Sequence, residues 1–204
     1  MANPLYCTIT EVKQGTQITS GDTTFDQELT DIVTDVSRAI DDQTSSRFYQ
    51  DDTDVVRHFL PENSGRAVIF PLSSFTSLTT LLDPTDTWTQ DTDFYFEPVN
   101  APADGAPWTS IRTIARPFLF TKADVPAGWA ALDGRITITG KWGWSAVPGP
   151  VRRACVLQSR RIFQRRYTPG GYEAGSIDVP GFRIPRLDPD VQALLDPYTL
   201  TWFG

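Results

Sequence analysis

RITITGKWGWSAVPGPVRRACVLQSRRIFQRRY, residues 135–167, changes its hydrophobic period partway along. Up to Trp144 apolar residues alternate, with Ile136, Ile138, Trp142 and Trp144 on one face and Arg135, Thr137, Thr139 and Lys141 on the other, the pattern of a half-buried strand. After the turn residues Pro148-Gly149-Pro150, Val151, Ala154, Cys155, Gln158 and Ile162 fall at i, i+3, i+4, i+7 and i+11, the pattern of a helix. Pro150 suits a first helical position, and Pro169-Gly170-Gly171 ends the segment near Tyr167. A strand thus passes directly into a helix, and each needs its own apolar partner.

The helix has a match near the start of the chain. Residues 24–43 place Leu29, Ile32, Val33, Val36 and Ile40 at the same spacing, so the two stripes are suited to pack together. A shorter helix precedes this one, with Thr8 and Glu11 as a capping box and Gly15 as its stop. Between the helical parts the period is two. Residues 55–60, 66–72, 78–83, 93–98, 108–116 and 135–144 are candidate strands, separated by Pro- and Gly-rich loops such as APADGAP. The expected class is α+β. A helical core from residues 1–52 and 148–170 carries an inserted antiparallel β domain, residues 53–147, as a small sandwich or partial barrel. Residues 171–204 are expected to form a C-terminal arm, extended except for a short helix capped by Asp188.

Val156, Phe163 and Tyr167 form a second apolar face on the Arg-rich helix, which one partner helix does not cover. The β region or a neighbouring subunit is expected to remove it from water. In the arm, Leu194, Leu195, Tyr198, Trp202 and Phe203 are the candidate anchors, because only burial offsets the entropy of ordering an extended segment.

The chain has 204 residues and a net charge of −7, unevenly distributed. Residues 1–54 hold 11 acidic and 3 basic side chains, whereas residues 148–187 hold 2 acidic side chains and 8 Arg. Arg152, Arg153, Arg160, Arg161, Arg165 and Arg166 spread around the helix axis instead of forming the concentrated reading face of a groove-binding helix. Pairing of Arg160, Arg161, Arg165 and Arg166 with Asp residues, within or between subunits, is the expected use.

Chemistry is sparse. His58 is the single histidine, sits on an expected strand and has no nucleophile-elbow motif to serve. Residues 83–93 are carboxylate-rich but lack the EF-hand pattern, and Walker A, H-E-x-x-H and dinucleotide fingerprints are missing. No catalytic residue, metal site or cofactor is expected, and the protein reads as a non-enzyme. Cys7 and Cys155 are expected to be free thiols in a reducing cytoplasm. The N-terminus does not resemble a signal peptide, and no apolar run approaches the about 20 residues of a membrane span, so no membrane partner is expected.

ELTDIVTDVSRAIDDQTSSRF, residues 28–48, resembles the first long helix of the head-to-tail adaptor (connector) proteins of long-tailed bacteriophages. RITITGKWGWSAVPGPVRRACVLQSRRIFQRRYTPGG, residues 135–171, resembles their junction: a last strand with a Gly-aromatic ending, a Pro-containing turn and an Ala- and Arg-bearing helix. The inserted β domain begins near residues 57–60, and the short helix at Leu194-Leu195 adds weaker support. The resemblance implies a structural virion protein in the neck, made in the host bacterial cytoplasm. It implies a homo-oligomeric ring, normally of twelve, beneath the portal protein, extending the DNA channel and offering a docking surface to a stopper or tail-completion protein. An acidic wall would let DNA pass without specific binding. The competing reading is a monomeric β-rich carbohydrate- or protein-binding module using Trp88, Trp108, Trp129, Trp142 and Trp144.

Overall fold

The computed structural model describes residues 4–16, 18–19, 21–80, 85–118, 135–165 and 187–200. The chain divides into a helical unit, residues 1–47 and 147–204, and a β unit, residues 48–146. Its class is α+β.

In the helical unit, α1 (Ile9–Lys13) starts at the capping box, with the Glu11 amide donating to Thr8 Oγ1 and the Thr8 amide to the Glu11 carboxylate. Helix α2 (Asp26–Thr44) has no side-chain cap, and Asp26 and Glu28 in its first turn complement the dipole. It ends where Ser45 turns left-handed at φ 50°. Helix α3 (Gly149–Arg165) packs along α2 through the matched stripes, with Leu29, Val33, Val36 and Ile40 buried on one and Val151, Ala154, Cys155 and Gln158 on the other. Helix α4 (Pro189–Leu195) and a 3-10 turn (Asp196–Tyr198) complete the unit. Val191 and Leu195, spaced i and i+4, are buried, α4 packs on α3, and the Leu200 amide donates to the Thr44 carbonyl at the end of α2. The described part of the expected arm therefore folds back onto its own helices. A two-residue stripe and a set of ion pairs suffice to dock one helical turn after another.

The β unit is one open antiparallel sheet in the order β1 (Val55–Phe59), β6 (Ile136–Trp142), β2 (Arg66–Thr80), β5 (Trp108–Thr113), β4 (Phe94–Glu97), with β3 (Thr87–Trp88) added to β2. It is not a closed barrel: β1 and β4 are its edges. Strand β2 is continuous where two segments with a break were expected. Its first half pairs with β5 and its second with β6, and the register shifts between Val68 and Ser77 bend it. The serine-rich middle stays extended because Ser73 Oγ donates to the Lys141 carbonyl at 2.9 Å and Thr76 Oγ1 to Asp54 at 2.5 Å. The core is one cluster, including Ile69, Leu72, Leu78, Phe94, Phe96, Ile111, Ile136, Ile138 and Trp142.

Two glycines set this packing. Gly140 lies where a Cβ would meet the Ser74 carbonyl, and Gly143, at φ 100°, lies where one would meet the Tyr49 carbonyl. Trp142, between them, is wholly buried, and its indole N–H donates to the Val55 carbonyl at 2.8 Å.

Candidate functional site

The Arg side chains of α3 find their partners on α1 and α4. Arg160 donates to the carbonyls of Glu11 (2.6 Å) and Val12 (3.2 Å), so its charge sits at the C-terminal end of α1, where the helix dipole favours a cation. Gly15 leaves room for this, because a Cβ there would run into the guanidinium. Arg152 pairs with the Glu11 carboxylate at 2.7 Å. Arg161 meets Asp188 at 3.0 Å and forms two parallel bonds to Asp190, and Arg165 meets Asp188 at 3.2 Å.

Asp188 was expected to cap α4 with its side chain. Its backbone has the extended capping geometry, but the carboxylate is drawn to the two guanidiniums and makes no cap bond. Charge-assisted bonds to Arg outweigh a bond to a backbone amide. Arg161 holds the Asp190 carboxyl down at about 2. Because the folded-state value is depressed, this pair stabilises docked α4 above the ordinary carboxylate value of 3.8 and is lost as pH falls toward about 2. Amide protection across residues 187–195, measured relative to the intrinsic exchange rate at each pH, is expected to fall over that interval in the native chain. In Arg161→Gln it is expected to be low at neutral pH already. Equal protection in both proteins at neutral pH would show that the ion pairs do not hold the helix.

Phe163 is buried, and Phe25 covers it edge-to-face at 5.8 Å from within the helical unit. The second apolar face of α3 thus has an internal partner at the N-cap of α2, a residue inside the expected helix 24–43 and four positions before Leu29 that the stripe expected from the sequence did not include. Val156 is buried too. Leu195 is interior, whereas Leu194 and Tyr198 are half-exposed. Arg166, Tyr167, Trp202 and Phe203 lie outside the described residues. The exposed side of α2 presents Glu28, Asp31, Asp35 and Asp42, and Arg153 is exposed on α3.

His58 Nδ1 lies 3.0 Å from Thr137 Oγ1 on the adjoining strand, a cross-strand contact on an exposed face. The carboxylates near β3 are engaged: Asp86 and Asp93 both pair with Arg116. Bonds from the Thr89 amide and Arg116 lower the Asp93 carboxyl. Among the described residues no group of three or more His, Cys, Asp or Glu side chains is placed to hold a metal ion, and no helix is long and apolar enough to cross a membrane. Trp88 stacks on Phe118 at 5.3 Å, Trp108 on Phe96 at 4.6 Å, and Trp144 packs against Phe48 at 5.6 Å. These rings, with Trp142, pack against aromatic or core neighbours inside the β unit; Trp129 lies outside the described residues.

What the residues build is a packing scaffold: a helical unit cross-tied by arginines, and an open sheet whose residues are inserted in the sequence between α2 and α3. No protein-family model matches the chain, and no curated protein matches it. In fold it is similar to a solved chain described as the neck of an empty GTA particle computed with C6 symmetry, with a TM-score of 0.53 at 16% identity over 96% of this chain and 91% of that one.

Proposed function

We propose that this chain is a structural, non-enzymatic neck protein of a bacteriophage-like virion, a head-to-tail adaptor. The observation that carries the reading is the likeness to a particle neck over nearly the whole length of both chains. The order of helix, inserted β region, strand, Pro turn and Arg-bearing helix supports it independently. Copies of the chain form a ring beneath the portal, and twelve, the number the adaptor resemblance implies, contains the sixfold axis of the neck particle. The ring extends the DNA channel and offers a docking surface to a stopper or tail-completion protein. We place the protein in the virion neck after synthesis in the host cytoplasm.

The exposed acidic side of α2 suits a wall that DNA slides past, since it offers phosphates no counter-charge. Arg160, Arg161, Phe163, Arg165 and Leu195 act in the interface by fixing the shape of the subunit. Leu194 and Tyr198, with Arg166, Tyr167, Trp202 and Phe203, make the contacts to neighbour or portal.

Native mass and negative-stain images of the purified chain, alone and mixed with its portal, test this reading. Closed rings, or rings that form on the portal, are expected, together with weak duplex-DNA binding. A chain that stays monomeric with the portal present and binds glycans would overturn the proposal in favour of a carbohydrate-binding module.

A further inference from the structure

Cys7 and Cys155 are 148 positions apart, yet their sulfurs are 3.2 Å from each other in the interior of the helical unit. They are the chain's two cysteines. Cys7 lies in a bend just before the Thr8 cap of α1, and Cys155 lies in the middle of α3. Both sides of the contact are held. The Tyr6 amide donates to Ser37 Oγ at 3.2 Å, Arg38 donates to the Pro4 carbonyl at 2.8 Å, and Arg160 grips the carbonyls at the end of α1. Ser37 Oγ is 3.7 Å from the Cys155 sulfur.

We infer that Cys7 and Cys155 form a latent disulfide site, which closes after the chain leaves the reducing cytoplasm and locks the N-terminal segment onto α3. Closing the gap from 3.2 Å to a bond of about 2.0 Å takes a shift of little more than about 1 Å, within reach of small side-chain rotations. A small-molecule disulfide such as oxidised glutathione is the oxidant. The Cys155 thiolate attacks one of its sulfurs, forming a mixed disulfide and expelling a thiolate. Cys7 gives up its proton and attacks the Cys155 sulfur, expelling the second thiolate. The protein loses two protons and two electrons, and the oxidant takes up both and leaves as two thiols. The order follows from the site: the Cys7 S–H donates to Cys155 and is pushed up by that bond and by burial, while the bonds from Cys7 and Ser37 lower Cys155.

Because both thiols are buried, the oxidant enters when the five-residue α1 and the segment before it open, and the product closes off that opening. Virion proteins meet oxidising surroundings on release from the cell, where such bonds persist. The site is read on the isolated chain, so its outcome is independent of ring assembly.

The test incubates the reduced full-length chain with oxidised or reduced glutathione, in buffer and in guanidinium just below the unfolding transition, where the segment opens. Oxidation is expected to remove both titratable thiols without retaining glutathione. It is expected to raise Tm by about 5–10 °C, reversibly with dithiothreitol, and to slow amide exchange across residues 4–14. Cys155→Ser and Cys7→Ser each keep one thiol or one glutathione adduct, with no rise in Tm. Two persistent thiols or two stable glutathione adducts in the guanidinium arm would overturn the inference. So would a disulfide form that melts at or below the reduced one, because the pair would then be packing only.

Discussion

Gly143→Ala is expected to unfold the β unit near room temperature or to leave it with a Tm lower by about 15 °C or more. Two costs coincide at this position. The backbone sits at φ 100°, where an L side chain is strained, and the added Cβ would strike the Tyr49 carbonyl, which is backbone and has no rotamer to escape through. Moving it means breaking the ties on either side: the Gly143 amide bonds the Pro71 carbonyl at 2.7 Å, and the Asp51 amide bonds the Trp142 carbonyl at 2.9 Å. About 3–5 kcal/mol is the expected loss. Gly105 separates the two causes. It also has a positive φ, 68°, but open space around the missing Cβ, so Gly105→Ala should cost only about 1 kcal/mol. Urea unfolding of both variants reads the difference, and a Gly143→Ala chain within about 1 kcal/mol of the parent would refute the account.

Phe163→Asp is the second large effect, and its manner matters as much as its size. A carboxylate replaces a buried ring that packs on Phe25, losing the ring's burial and leaving a charge without a partner, about 4–5 kcal/mol together. The subunit itself should fail: the variant loses helical far-UV signal and the cooperative denaturant transition. Phe163→Leu, which keeps the site apolar, should cost about 1.5 kcal/mol and still assemble. A folded Phe163→Asp monomer, defective only in ring formation, would place this face against a neighbouring copy instead of inside the helical unit.

The helices and most strands were legible because each announces itself within a short window. Leu29, Val33, Val36 and Ile40 of the α2 stripe and Val151, Ala154, Cys155 and Gln158 of the α3 stripe are buried as spaced, with Ile32 and Ile162 half-buried, and the alternation of β6 puts Ile136, Ile138 and Trp142 inward. The capping box of α1 was legible for the same reason. Strand β3 was not: Thr87 and Trp88 have no periodicity, and they extend only because Leu78 and Thr79 of β2 lie opposite and Trp88 stacks on Phe118. The continuity of β2 through Ser73-Ser74 was hidden too, since serines favour turns until a neighbouring strand and a bulge use their hydroxyls.

At the candidate site the sequence by itself determined which residues carry charge and which are apolar. It therefore called for Arg–Asp pairing and for a cover over Phe163. Which partners meet was left to tertiary structure. Arg161 reaches Asp188 and Asp190 some 27 and 29 positions away, Arg160 reaches backbone carbonyls of α1, and Phe25 supplies the cover. Cys7 and Cys155 show the same division, for their number is plain in the sequence and their contact is not. Hydrophobic period is a local property, written in consecutive residues. A salt bridge, a ring contact or a thiol pair depends on where two distant segments are brought in space, and that is fixed only when the α2–α3 stripes pack and carry their flanking side chains with them.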